Sequence, residues 1–366
     1  MRVALLTSSR ADYSIYRPLI AKLHADPFFK LSIVAFGTHS SEKFGTTVQE
    51  IINDGFTVSH LIEFNQPSDS PGDISRNMAY TMESFTKIWE TESFDWLIAL
   101  GDRYEMFAAV FSAIPFSIKV AHISGGEITL GAIDNVFRDS ITAAATLHFA
   151  STDVYAKRIT QLKNTDQGVH NVGALSLDNL LQLQLLSIDD FEHKFGIPLS
   201  APTILITVHP ETVDYRSNEV YIKEVQKALL QLDSHQLLIT MPNADTFGHV
   251  IREHWHQLKK ERDGVFLYEN LGTIGYLSAM KWCSFMMGNT SSGFVEAAMF
   301  PKWVVNLGDR QKGRIETPNI LTVPFSADKI LEAVDRIRLA NQPAPIRIYG
   351  DGQAASKIVH ILKKMK

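Results

Sequence analysis

At 366 residues and 41.0 kDa the chain is about 2.4 times a typical ~150-residue domain, which predicts two domains. Hydrophobic residues make up 45% and charged residues 20%, close to the globular average, which excludes disordered and fibrous classes. A net charge of -5 with a pI near 6.2 argues against a nucleic-acid binder that rests on a general cationic field.

The run Met1–Thr7 is too short and too weakly apolar for a signal peptide. The longest apolar stretch, Ala108 to Ile123, is broken by Pro115 and Lys119 and cannot span a bilayer. The single cysteine, Cys283, excludes an intrachain disulfide and a metal site of several thiolates. A soluble protein of the reducing cytoplasm, with no membrane partner, is the expectation.

In chain order, strands are predicted at Val3–Thr7, Leu31–Phe36, Trp96–Leu100, Val120–Ile123 and Leu147–Ala150, then at Ile204–Val208, Gln236–Thr240, Val265–Tyr268, Phe285–Met287 and Trp303–Asn306. Amphipathic stretches such as Tyr16–His24, Ile74–Glu90, Glu219–Leu232 and Phe247–Lys259 lie between them. Such alternation predicts an α/β protein with two Rossmann-like, doubly wound parallel sheets. The pattern restarts near Ile204, so the domain boundary falls between Val172 and Pro202. The expected division is 1–174, 175–350 and a C-terminal helix, 351–366, packing back on the body.

Ligands of doubly wound sheets bind beyond the carboxyl ends of the strands. In the first half, the strand ends lead into Ser8-Ser9-Arg10-Ala11-Asp12, Gly101-Asp102-Arg103-Tyr104-Glu105 and His122-Ile123-Ser124-Gly125-Gly126-Glu127, with Asp134 close behind. In the second half they lead into His209-Pro210-Glu211-Thr212, Met241-Pro242-Asn243-Ala244-Asp245 and Gly288-Asn289-Thr290-Ser291-Ser292-Gly293. Each has a plain structural reading. Asp102 and Glu105 fit a capping box, Thr290 or Ser291 fits a cap on a helix Phe294–Met299, and Arg138 with Asp139 fits an exposed helix pair. Taken together, they predict an interdomain cleft lined by acids, histidine, arginine and serine.

The Gly288–Gly293 run before a helix offers backbone N–H groups, hydroxyls and a dipole, features suited to a diphosphate. Arg10, Arg103, Arg310 and Arg314 add bidentate donors, and Glu296 suits the two hydroxyls of a ribose. No Gly-x-Gly-x-x-Gly follows the first strand, no phosphate-loop lysine motif is present, and His249, His254 and His256 do not share one helical face. A nucleoside diphosphate handled by acid–base chemistry, without cofactor or metal, is where these residues point.

The motifs Ser9-Arg10-Ala11-Asp12-Tyr13, Gly101-Asp102-Arg103-Tyr104-Glu105, His122–Glu127, Gly131–Asp134, Val208-His209-Pro210 and Gly288–Gly293 resemble those of the hydrolysing UDP-N-acetylglucosamine 2-epimerases, in order, up to about Thr317. The resemblance implies a glycosyltransferase-B arrangement, a UDP-sugar substrate, release of UDP and N-acetylmannosamine toward sialic acid, and a homodimer or homotetramer. A close branch acts on UDP-N,N′-diacetylbacillosamine for legionaminic acid.

Position by position, it implies catalysis by Asp102, Glu127, Asp134 and His209. Substrate contacts fall on Arg10, Arg103, His122, Arg138, Asn243, Thr290, Ser291, Ser292, Glu296, Arg310 and Arg314. Two positions depart from it. Ser124 stands where the family often has a carboxylate or histidine, and Asp139 where a histidine commonly follows the arginine. Three further readings are a glycosyltransferase of the same fold, a non-catalytic nucleotide-sugar sensor and a non-hydrolysing epimerase.

Overall fold

The computed structural model of the chain describes residues 1–242, 245 and 247–365. Seven strands form the first sheet: β1 (Arg2–Thr7), β2 (Lys30–Ala35), β3 (Val58–Leu61), β4 (Trp96–Leu100), β5 (Lys119–Ile123), β6 (Leu147–Ala150) and β7 (Val169–Asn171). Six form the second: β8 (Thr203–Thr207), β9 (Gln236–Thr240), β10 (Val265–Tyr268), β11 (Phe285–Gly288), β12 (Val304–Leu307) and β13 (Ile320–Val323). All neighbouring pairs are parallel, in the orders β3-β2-β1-β4-β5-β6-β7 and β10-β9-β8-β11-β12-β13. The expected pair of doubly wound parallel sheets is therefore what the chain forms.

The central strands are those read from sequence, because burial on both faces demands an unbroken apolar run such as Trp96-Leu97-Ile98-Ala99-Leu100. Three strands escape that reading: β3, β7 and β13. All three close a sheet edge, where one side is uncovered and polar residues such as Ser59, His60, His170 and Asn171 are tolerated. The amphipathic stretches form the helices Arg10–Ala25, Pro71–Thr91, Asn218–Leu229 and Gly248–Glu261. No helix among the described residues is long and apolar enough to cross a membrane.

The chain divides into two compact units, one of Met1–Glu127, Asp134–Gln182 and Ile348–Lys366, the other of Ile128–Ile133 and Leu183–Arg347. The short segment Ile128–Ile133 binds within the second unit: Leu130 N–H donates to Lys312 O at 2.9 Å and Ile133 N–H to Thr212 Oγ1 at 3.0 Å. Gly131 lies flat on Asp309 there, and a Cβ would come within 2.2 Å of Asp309 O.

Within the first unit, the C-terminal helix Ala354–Lys364 buries Ile358 and Leu362 in the same core as Leu5, Tyr16 and Leu19. Each such side chain contributes about 1.5–3 kcal/mol relative to exposure. A short helix, Leu177–Gln182, ties the two ends of the chain together. Its Asp178 carboxylate accepts from the N–H groups of Ala354 (2.9 Å) and Ala355 (2.8 Å), capping the final helix. The next residue, Asn179, serves the first helix. Pro18 lacks the N–H that would bond Ser14 O, and Asn179 Nδ2 donates to that carbonyl at 2.7 Å.

Replacing Asp178 by Ala strands two helix-end amides in a buried setting. Asp178→Ala is expected to destabilise the first unit by about 2 kcal/mol, with Asp178→Asn losing less because one acceptor is kept. Urea unfolding followed by circular dichroism checks this, and an unshifted midpoint in Asp178→Ala contradicts it.

Candidate active site

In each sheet the strand order reverses beside the strand that begins it: between β1 and β4 in the first unit, between β8 and β11 in the second. Helices leave such a point toward opposite faces, and a crevice opens at the carboxyl ends. The loops at these points carry four of the six polar runs. Ser8–Arg10 follows β1, Gly101–Arg103 follows β4, Val208–Thr212 follows β8 and Asn289–Gly293 follows β11.

In the first unit, Arg138 is the hub. It is 2% exposed, its Nη2 donates to Asp102 Oδ2, and its Nη1 donates to the Glu127 carbonyl at 3.1 Å. Ser151 Oγ donates to Glu127 Oε1 at 2.9 Å. Asp134 opens the helix Asp134–Ala144, one turn before Arg138 and on the same face by spacing. Arg138 thus joins Asp102 to the Glu127 main chain, with Asp134 one turn earlier on the same helix. Arg10 is the first residue of its helix, beyond an N-terminus where Ser8 donates N–H (2.9 Å) and Oγ–H (2.5 Å) to Asp12.

The capping-box reading of Asp102 is corrected: Arg103 occupies the cap position without a side-chain cap bond. Arg103 instead donates from Nε and Nη2 to the two oxygens of Glu105, at 3.2 and 3.0 Å. The exposed-pair reading of Arg138 and Asp139 is corrected too. Asp139 takes both Arg158 guanidinium nitrogens at 2.7 Å, while Arg138 is buried.

His122 is fully buried, with Nε2 2.8 Å from Gly101 O and Nδ1 3.1 Å from Thr142 Oγ1. A carbonyl only accepts, so Nε2 carries the proton and Nδ1 accepts from Thr142. Burial pushes this imidazole down to about 4, and it stays neutral. Ser124 comes next but one, with φ +62, and its N–H donates to Phe149 O at 3.1 Å.

In the second unit, Asn289 clamps the backbone of His209, accepting its N–H at Oδ1 (2.7 Å) and donating from Nδ2 to its carbonyl (2.9 Å). Arg310 is buried, donating to Pro210 O (2.6 Å) and Asp245 Oδ2 (3.1 Å), and its own N–H donates to Glu211 Oε1 (3.1 Å). Gln311 Nε2 donates to Asn289 O (2.7 Å), and Gln311 Oε1 accepts from Arg314 Nε (2.6 Å). Gly288, at φ +138, lets β11 close against β8, since a Cβ would fall 1.9 Å from Thr207 O.

The helix expected over Phe294–Met299 is shorter: a 3₁₀ turn, Ser291–Gly293, precedes a four-residue helix, Glu296–Met299, with no side-chain cap from Thr290. So short a helix brings little dipole. Hydroxyls are what this loop offers, Thr290 Oγ1 and Ser292 Oγ being 3.3 Å apart with Tyr276 Oη 2.6 Å from Ser292. Glu296 opens the short helix, and Asn243 lies outside the described residues.

A family model described as UDP-N-acetylglucosamine 2-epimerase matches residues 21–363. The chain belongs to this family. It is 34% identical over 321 residues, 87% of this chain and 83% of the relative, to the hydrolysing GDP/UDP-N,N′-diacetylbacillosamine 2-epimerase of Campylobacter jejuni. It is 30% identical over 366 residues, 99% of this chain and 95% of the relative, to the hydrolysing UDP-N,N′-diacetylbacillosamine 2-epimerase of Legionella pneumophila. The fold is shared with the Neisseria meningitidis UDP-GlcNAc 2-epimerase crystallised with UDP-GlcNAc, at TM-score 0.83 and 19% identity over 100% of both chains.

Several residues of this epimerase-family site carry little or no signal in the sequence. Glu211 stands in the His209–Thr212 run read from the sequence, whereas Ser151, directly after β6, lies in none of the runs singled out. Asn289 lies in the Gly288–Gly293 run, but its clamp on a distant backbone leaves no local pattern, and Gln311 belongs to no strand-end run. Tyr276, inside the helix Gly272–Trp282, gives no signal at all.

Glu211 supplies a pH test. It is 4% exposed, and burial, opposed by Arg310, pushes its carboxyl up to about 7. The folded chain then holds a proton between roughly pH 4.5 and 7 that the unfolded chain has released, so stability falls as pH rises through that window. Glu211→Gln removes this slope. The variant should match the wild type near pH 5 and exceed it near pH 8 by on the order of 2 kcal/mol. Urea unfolding at the two pH values decides it, and parallel profiles refute it.

Proposed function

We propose that this epimerase-family chain is a hydrolysing 2-epimerase of a UDP-linked 2-acetamido sugar. With UDP-N-acetylglucosamine it releases UDP and N-acetylmannosamine. The observation that carries the reading is one buried guanidinium that pairs with the Asp102 carboxylate and holds the Glu127 main-chain carbonyl, with Asp134 one helical turn before it in sequence.

The C2 proton of an intact glycoside is weakly acidic, so its removal is coupled to departure of the C1 diphosphate. A base takes the C2 proton while the C1–O bond to the diphosphate breaks, giving 2-acetamidoglucal and UDP. A second group then protonates C2 from the other face as water adds at C1. One proton-transfer group on each face is the minimum. Asp102, Glu127, Asp134 and His209 are the groups we assign to this work. Ser124, lacking an ionisable group at neutral pH, takes no part.

The second unit's rim suits the UDP. Thr290, Ser291 and Ser292 offer hydroxyls to the diphosphate, Glu296 the acceptor for ribose, and Arg310 and Arg314 the cationic surroundings as charge develops. Arg10, Arg103 and Arg138 complete the substrate set. His122, neutral and bonded to the Gly101 carbonyl, acts by holding the loop that carries Asp102. A second substrate, UDP-N,N′-diacetylbacillosamine, is favoured by the two relatives that carry this name at 34% and 30% identity.

Incubation of each UDP-sugar in deuterated water, read by proton and phosphorus NMR, tests the reading. UDP and a free manno-configured sugar bearing deuterium at C2 are expected. Transfer only to an added acceptor, return of a UDP-linked epimer, or binding without turnover would each overturn it. The faster substrate names the branch.

In the same assay, Asp102→Asn and His209→Ala should each lose turnover by about 10²-fold or more while still binding UDP. Wild-type rates in both would remove these assignments.

A further inference from the structure

A row of hydroxyl groups runs inward from the loop after β11. Thr290 Oγ1 lies 3.3 Å from Ser292 Oγ, and Ser292 Oγ lies 2.6 Å from Tyr276 Oη. Tyr276 also hydrogen-bonds the Thr207 side chain, and Thr207 Oγ1 is 2.6 Å from Thr240 Oγ1. At the inner end, Thr240 Oγ1 reaches the Ile206 carbonyl at 3.4 Å. Thr207 and Thr240 end β8 and β9 and are both buried.

Each hydroxyl has one proton to donate, so a row in which every member donates to the next runs in one of two directions. Pointing inward, the protons run from Ser292 through Tyr276, Thr207 and Thr240 to the Ile206 carbonyl, a long final bond. Pointing outward, they run from Thr240 to Ser292, whose own proton is then aimed out of the loop. An acceptor beyond Ser292 with a full negative charge outweighs a carbonyl at 3.4 Å, because hydrogen bonds to charged groups are the strong ones. Polarised hydroxyls in a row strengthen one another.

We infer that Tyr276 is a positioning residue for the diphosphate: it links Ser292 to Thr207 and Thr240, so that an anion on the loop turns the whole row outward. The inference rests on the UDP reading of this loop. Burial pushes the Tyr276 hydroxyl up to about 12, so it keeps its proton at any working pH. A purely space-filling tyrosine would be replaced by phenylalanine without consequence for an anion.

The experiment uses the full chain and ligand-observed NMR titrations with UDP and with uridine, which lacks the phosphates. Tyr276→Phe should bind UDP about tenfold more weakly and uridine as the wild type does. Thr207→Val, one link further in, should weaken UDP by a smaller factor and again spare uridine. Unchanged UDP affinity in both variants overturns the inference, as does an equal loss of UDP and uridine. Failure of the wild type to bind UDP would instead overturn the nucleotide reading itself, and is told apart because it involves no variant.

Discussion

A guanidinium does not enter a protein interior without a counter-charge, and the burial of Arg138 governs the first unit's rim. Removing such a cation from water costs several kcal/mol unless a carboxylate and further acceptors meet it. Asp102 and the Glu127 carbonyl meet it here. Asp102 belongs to the loop after β4 and Glu127 to the turn after β5, so one ion pair draws two strand ends to a common point. Arg138 sits a turn into the helix that Asp134 begins. Behind them the neutral His122 holds Gly101 without adding charge. Of these acids, Asp102 pairs with the cation directly, while Glu127 meets it through its main-chain carbonyl and turns Oε1 to Ser151.

The second unit solves a different problem with mostly neutral groups. Its arginines are held inside: Arg310 by Pro210 O and Asp245, Arg314 by Gln311. What its rim presents is the Asn289 clamp on His209 and a row of hydroxyls. Donors held in place by their neighbours need little further rearrangement as the charge of a bound anion grows, which is where a stabilising environment has its largest effect. Buried Glu211 accepts from the Arg310 backbone and would add a negative charge if ionised, and its raised proton affinity limits that.

The core strands, the polar strand ends and the family motifs are legible in the sequence because each is a local pattern. A strand buried on both faces must be apolar throughout, and a rim loop must be polar. Edge strands β3 and β7 carry neither signature, while β13 goes unread although Ile320, Leu321 and Val323 are apolar. Partnerships across the fold are not legible: nothing near Asn289 in sequence foretells the His209 backbone, nothing in Tyr276 foretells Ser292, and nothing in Ile128–Ile133 foretells its place in the second unit. Local reading also misjudges the segment after Ser292. Phe294 and Val295 suit a helix, but a 3₁₀ turn at Ser291–Gly293 precedes a helix that starts only at Glu296, and the loop offers hydroxyls where a dipole was expected.

The two positions that depart from the family pattern differ in physical character. Ser124 holds a left-handed backbone at φ +62, a conformation that costs a non-glycine residue about 1–2 kcal/mol. That strain is set by the turn between β5 and Glu127, so the position is constrained by backbone geometry as well as by side-chain chemistry. Asp139 is different. It is matched to Arg158, with two hydrogen bonds of 2.7 Å between half-buried partners, an arrangement a histidine could not reproduce. A histidine beside that guanidinium would be held neutral by like-charge repulsion, whereas aspartate neutralises the cation. The change at 139 is therefore read as half of a pair whose other half is Arg158, and it leaves the proposed proton transfers with Asp102, Glu127, Asp134 and His209.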